Sequence, residues 1–163
     1  MKNIAILLLL ASLSGCLGKA HEKTGLEGKP LPSFNLFLMD STTYFNTNSI
    51  PTGKPIALFY FSPSCPYCRA QTEEIVEHMK KLKDINFYIF TTAPFTELKS
   101  FYDYYQLKKY PNVTVGLDYT SFFGNYFKAQ GVPYMAIYNN NKRLKQVLVG
   151  KTEISVIKDI ALE

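Results

Sequence analysis

The sequence has few of the residues from which metal sites are made. Cysteine occurs three times, at Cys16, Cys65 and Cys68, and histidine twice, at His21 and His78. A structural zinc needs four ligands. A single Cys-x-x-Cys with two distant histidines offers no such set. Long apolar stretches are also missing: the run Ile4–Leu10 falls well short of the ~20 residues that span a bilayer. Charge is modest and dispersed. Charged residues make up 19% of the chain, the net charge is +5, and no block of like sign forms, so nucleic-acid binding is not indicated. Tryptophan is absent from a chain that otherwise holds 12 Tyr and 12 Phe. What remains is a globular composition, 47% hydrophobic over 163 residues, enough for one domain with its own core.

The N-terminus reads as an export signal. Met1-Lys2-Asn3 is a short basic start, Ile4–Leu10 a short apolar core, and Leu13-Ser14-Gly15-Cys16 resembles a bacterial lipobox. In signals of that kind the cut precedes the cysteine, whose sulfur receives a diacylglycerol. The reading is therefore a signal peptide at 1–15, a lipidated tether at 16–30 and a domain at 31–163. The lipid bilayer becomes a partner through Cys16. The tether is polar and aperiodic, and from Leu17 to Pro30 it reaches at most roughly 45–50 Å. His21 lies in it and reads as inert. Export would also place the remaining thiols, Cys65 and Cys68, where disulfide chemistry is permitted. Asn112-Val113-Thr114 has the form of a glycosylation sequon but reads as strand residues.

The chemistry concentrates in Phe59-Tyr60-Phe61-Ser62-Pro63-Ser64-Cys65-Pro66-Tyr67-Cys68. An apolar run ends in a turn, and Ile75, Val76, Met79 and Leu82 then fall on one helical face. The spacing puts Cys65 at a strand-to-helix junction, with Pro66 in the first helical position, where its missing N–H costs nothing. Free N–H groups and the macrodipole favour an anion there, and the thiolate is the nucleophile. Cys68, one turn further in, can resolve a mixed disulfide on Cys65. Zinc binding and a passive staple are the competing readings; the first lacks ligands, and a disulfide closing so short a loop stabilises little.

Around this pair the pattern alternates. Strands are expected at Phe34–Met39, Thr43–Asn46, Ile56–Phe61, Ile85–Thr91, Val113–Leu117, Tyr134–Tyr138 and Leu144–Val149. Helices are expected from the Cys-x-x-Cys to about Lys83, from about Thr96 to Gln106, and after a Thr152-Glu153 cap, with a loop or short helix at Tyr119–Ala129. Strands alternating with helices and closing in a hairpin imply an α/β sandwich with a central mixed sheet flanked by helices.

Cys65-Pro66-Tyr67-Cys68 at such a junction, with Val132-Pro133 before the next-to-last strand, resembles the thioredoxin fold. The N-terminal hairpin and the central insertion, Phe95–Ala129, are similar to the membrane-tethered TlpA/ResA-type thiol-disulfide oxidoreductases, which are redoxin-like. The resemblance implies catalysis by Cys65 and Cys68 and a cis Pro133. It also implies substrate contacts at Pro66, Tyr67, Val132 and Pro133, with Tyr134 a weaker candidate. No cofactor is implied beyond the Cys65–Cys68 disulfide, and no metal. The implied partners are exported proteins with disulfides or thiols and a membrane thiol electron donor, in the cell envelope. The chain departs from the pattern at three positions. Ser64 stands where the family has Trp, Gln71 where that branch often has Glu, and Phe59 where thioredoxins have a buried Asp. That leaves solvent to handle the proton at Cys68.

Two other functions compete. A peroxiredoxin-type peroxidase would use Ser62, three residues before Cys65, but that family's upstream proline is replaced by Leu58. A Sco-type copper chaperone would need CxxxC and a late histidine, and the chain has neither.

Overall fold

The computed structural model describes residues 23–163. The expected signal peptide, Cys16 and His21 lie outside the described residues. Among those described, no helix is long and apolar enough to cross a membrane.

Seven strands form one mixed sheet: β1 (Asn35–Leu38), β2 (Tyr44–Asn46), β3 (Ile56–Tyr60), β4 (Asn86–Thr91), β5 (Val113–Leu117), β6 (Tyr134–Tyr138) and β7 (Leu144–Val149). Their order is β2-β1-β5-β4-β3-β6-β7. Strands β3, β4 and β5 run parallel, whereas β6 is antiparallel to β3 and β1 is antiparallel to β5. Among the described residues four α-helices accompany the sheet: α1 (Pro66–Glu77), α2 (Phe95–Tyr104), α3 (Phe122–Phe127) and α4 (Ile154–Leu162).

The apolar runs follow from burial on both faces of the central strands. In β3, Ala57 and Phe59 point into a core shared with Ile75 of α1, Phe101 of α2 and Ile157 of α4. Ile56 and Leu58 point the other way, into a core shared with Phe123 and Phe127 of α3 and with Leu31 and Phe34. Strand β4 repeats the alternation, with Phe87 and Ile89 on the first face and Tyr88 and Phe90 on the second. The second core is an aromatic stack. The Phe123 ring lies 5.0 Å from Phe90, 4.5 Å from Phe127 and 5.8 Å from Tyr134, geometries that favour edge and tilted contact.

Element boundaries moved where side chains redirect the backbone. The first helix stops at Glu77 instead of about Lys83; His78 leaves helical geometry, its Nδ1 lies 3.1 Å from the Glu74 carbonyl, and Met79–Lys81 continue as a 3-10 turn. The final helix starts after Glu153, but neither predicted cap side chain bonds to its N-terminus: Thr152 Oγ1 instead donates to the Gly150 carbonyl. Asn112 precedes β5, and its Nδ2 donates to the carbonyls of Leu82 and Ile85, tying the α1–β4 connection to the sheet.

Residues 28–30, expected in the tether, pair with the sheet. Gly28 N–H donates to the Leu144 carbonyl at 2.8 Å, Leu144 N–H to Lys29 at 3.0 Å, and Pro30 bridges Arg143. Just before them, the Glu27 carboxylate accepts the N–H of Thr24, and Leu26 packs on the second core. Backbone pairing needs no side-chain period, so the pattern alone does not reveal it.

One glycine is required for a close approach. A Cβ at Gly116 in β5 would lie 2.9 Å from Leu36 Cβ and 3.2 Å from the Phe37 carbonyl in β1. Gly116→Ala should force β1 away from β5 and cost about 1–3 kcal/mol; urea denaturation measures it, and an unchanged midpoint would show that the hairpin gives way freely.

Candidate redox site

The site grows from the end of β3. Phe61 N–H still donates to the Phe90 carbonyl, extending the ladder, and the chain then turns so that Cys65 N–H reaches the Ser62 carbonyl at 3.1 Å. Ser62 and Ser64 hydroxyls bond each other at 3.1 Å. Cys65 is extended (φ −77°, ψ 120°) and caps α1, and Pro66 takes the first turn. The Cys65 sulfur accepts the Cys68 N–H at 3.4 Å, so it occupies the N-cap position where a side-chain acceptor satisfies a free helix donor.

The two thiols sit in different surroundings. Cys65 is half-buried, and its thiol reaches the Val132 carbonyl at 3.7 Å. Cys68 is fully buried in the first core. Burial pushes the Cys68 thiol up to about 12; the backbone at Ser62 opposes this, and the neighbouring Cys65 adds to it.

Of the residues expected on the substrate side, Tyr67, Val132 and Pro133 meet here, whereas Pro66 opens α1 and is not among the groove residues. The Val132–Pro133 peptide is cis. Pro133 accepts the Gly150 N–H at 2.9 Å. Beside them opens a groove of about 430 Å³ lined by Tyr67, Val132, Pro133, Val149, Gly150, Lys151 and Glu153. Tyr67 is 67% exposed at its edge. Tyr134 is not at the rim: it is buried on the opposite face of the sheet, against Phe123 and Phe127.

The acidic residues of α1 are committed elsewhere. Glu73 accepts from the Tyr105 hydroxyl at 3.4 Å, and Glu74 pairs with Lys151. Phe59 is wholly buried 5.9 Å from Phe61, ring to ring, so the thioredoxin aspartate position is apolar. Gln71, also buried, accepts the Thr152 N–H at 2.6 Å. These long-range bonds, which bring Gly150, Lys151 and Thr152 to the site, had no local signal in the sequence. His78 lies at the far end of α1. Among the described residues, no group of three or more His, Cys, Asp or Glu comes together as a metal site would require.

A family model described as a thioredoxin-like domain matches residues 47–159. The chain belongs to this thioredoxin-like family. Solved structures share the fold at low identity. The thioredoxin domain of a thiol-disulfide oxidoreductase from Bacteroides vulgatus is 14% identical, with a TM-score of 0.67 over 83% of this chain and 97% of that one. StoA from Bacillus subtilis is 10% identical, with a TM-score of 0.61 over 79% and 96%. MTB DsbF, solved in mixed oxidised and reduced forms, is 18% identical, with a TM-score of 0.68 over 80% and 96%. No curated protein matches the sequence. The thioredoxin-like assignment agrees with the sheet order, the Cys-x-x-Cys at the start of α1 and the cis proline facing it.

The Cys68 environment gives a pH test. An ordinary thiol ionises near 9.0, and this one near about 12. Between those values the unfolded chain has lost a proton that the folded chain keeps, so stability falls as pH rises, by at most about 1.4 kcal/mol per pH unit. Urea denaturation of the reduced protein from pH 8 to 11 should show this decline in excess of that in Cys68→Ser. Equal slopes would mean that Cys68 ionises freely in the folded state.

Proposed function

We propose that this thioredoxin-like thiol-disulfide oxidoreductase works outside the cytoplasm, held to a membrane by a lipid on Cys16, and reduces disulfides in exported proteins. The observation that carries the reading is the unequal pair at the start of α1: a half-buried Cys65 beside an open groove, with a buried Cys68 one turn behind it. The thiolate of Cys65 attacks one sulfur of the substrate disulfide. A Cys65–substrate S–S bond forms, the substrate bond breaks, and the departing sulfur takes up a proton. Cys68 gives up its proton and attacks Cys65. The substrate leaves as its second thiol, and the enzyme holds the Cys65–Cys68 disulfide. Two electrons and two protons have passed to the substrate. A membrane thiol donor returns them, and no other cofactor enters the cycle.

The depth of Cys68 suits a resolving role. A thiol held protonated by burial does not compete for the incoming disulfide, and it becomes the attacker once a mixed disulfide brings an electrophilic sulfur within reach. The Val132 carbonyl and the groove beside it suit an extended chain bound through its backbone.

Cys68→Ser tests the reading. Without a resolving thiol the reaction should stop at the Cys65 mixed disulfide, so exported proteins should co-purify with the variant and separate from it on reduction. Normal expression and export with no reducible adducts would count against a protein disulfide substrate. A separate variant, Cys16→Ser, should release the protein from detergent-phase membranes into the aqueous phase; unchanged partitioning would remove the lipid anchor from the proposal.

A further inference from the structure

The groove beside Cys65 has two walls, and they are held by different means. One is Val132–Pro133. The other is the segment between β7 and α4, which contributes Val149, Gly150, Lys151 and Glu153. This second wall has no regular secondary structure from Gly150 to Glu153. Three bonds hold it: Gly150 N–H to the Pro133 carbonyl, Thr152 N–H to Gln71 Oε1, and Lys151 Nζ to Glu74 Oε1.

The last two originate on α1. Tyr67, Gln71 and Glu74 are spaced i, i+4 and i+7 and form one stripe along the helix. Tyr67 heads the stripe as a groove residue; Gln71 and Glu74 continue it beneath the second wall. Their polarity is not explained by packing. Gln71 Nε2 and Glu74 Oε2 are buried with no hydrogen-bond partner among the described residues. A buried group left in that condition costs stability, and an apolar side chain of similar volume would fill the space without the cost. What an apolar side chain would not do is grip the backbone of Thr152 and the ammonium of Lys151.

We propose that Gln71 and Glu74 are positioning residues for substrate recognition. By holding Thr152 and Lys151 they set the width of the groove that receives the extended chain flanking a substrate disulfide. The proposal rests on the oxidoreductase reading above. Neither residue touches the reacting sulfurs; both act through the 150–153 segment. Pairing with Glu74 also occupies the Lys151 charge, so that the groove presents Tyr67, Val132, Pro133 and Val149, together with the exposed Glu153 carboxylate, to an incoming chain.

The test compares a protein disulfide with one too small to fill the groove. Insulin and hydroxyethyl disulfide serve as the two substrates, with reductant supplied in excess. Glu74→Gln, Lys151→Met and Gln71→Met should each raise KM for insulin about fivefold, as expected for one lost hydrogen bond or ion pair. The insulin kcat, the hydroxyethyl disulfide rate and the reduction potential of the Cys65–Cys68 pair should stay at wild-type values. The exchanged pair Glu74→Lys with Lys151→Glu should recover most of the insulin KM. Lys151 lies on the irregular 150–153 segment and not on α1, so Lys151→Met keeps the test valid if an α1 variant does not fold. An unchanged insulin KM in Lys151→Met overturns the proposal. So does a parallel fall in the hydroxyethyl disulfide rate, which would place the effect on the cysteines themselves. A wild-type protein inert toward both substrates would remove the oxidoreductase reading and this proposal with it, whereas an unchanged KM in active variants removes this proposal alone.

Discussion

The arrangement depends on one constraint: β3 must be buried on both faces and yet deliver a reactive sulfur to the surface within a few residues of its end. The strand has no polar residue from Ile56 to Phe59, and its burial fixes where the chain emerges. The turn at Ser62–Ser64 then reverses the requirement. Cys65 stops at the mouth, where the first free N–H groups of α1 face it. Cys68, a turn later, is carried back into the core that β3 built. Exposure of one thiol and burial of the other are thus the same geometric fact, imposed by a helix that starts at the surface and packs its inner face on the sheet. The contrast in reactivity that the chemistry needs follows without any charged partner.

Among the described residues no charged side chain is bonded to either thiol. Phe59 fills the position of the thioredoxin aspartate, and its ring extends an aromatic column through Phe61 to Phe101. A carboxylate there would lie among these rings and would need its own proton partner. The acidic residues nearest in sequence, Glu73 and Glu74, turn to Tyr105 and Lys151. The proton on Cys68 therefore has no built carrier among the described side chains, and its exchange with solvent through the mouth at Cys65 fits the half-open position of that residue.

Much of this was legible in the sequence because it is local. Both central strands, the hairpin β6–β7 and the junction at Cys65 announce themselves through apolar runs, turn residues and the proline at the first helical position. The cis peptide at Pro133 followed from resemblance. What escaped notice depends on partners far along the chain. Gln71 looks like a neutral substitution until Thr152 is placed against it, and Tyr134 looks like a rim aromatic until the parity of β6 turns it to the α3 face. The end of α1 at Glu77 also escaped, because nothing in the apolar spacing distinguishes a helix that continues from one that tightens into a 3-10 turn.

The pairing of residues 28–30 with the start of β7 bears on the length of the proposed lipid tether. A free tether ending at Pro30 would give the domain a radius of action of roughly 45–50 Å. With the chain fastened to the sheet and folded back on itself from Thr24 onward, the proposed lipid on Cys16 would be joined to the fastened chain through residues 17–23, a contour of at most roughly 25 Å. On the proposed anchoring, a leash of half the length would cut the accessible volume about eightfold and concentrate the redox pair near the bilayer by the same factor. Partners that are themselves membrane-bound would then meet it far more often than partners diffusing through the compartment, a preference set by where the chain is pinned and not by any contact at the active site.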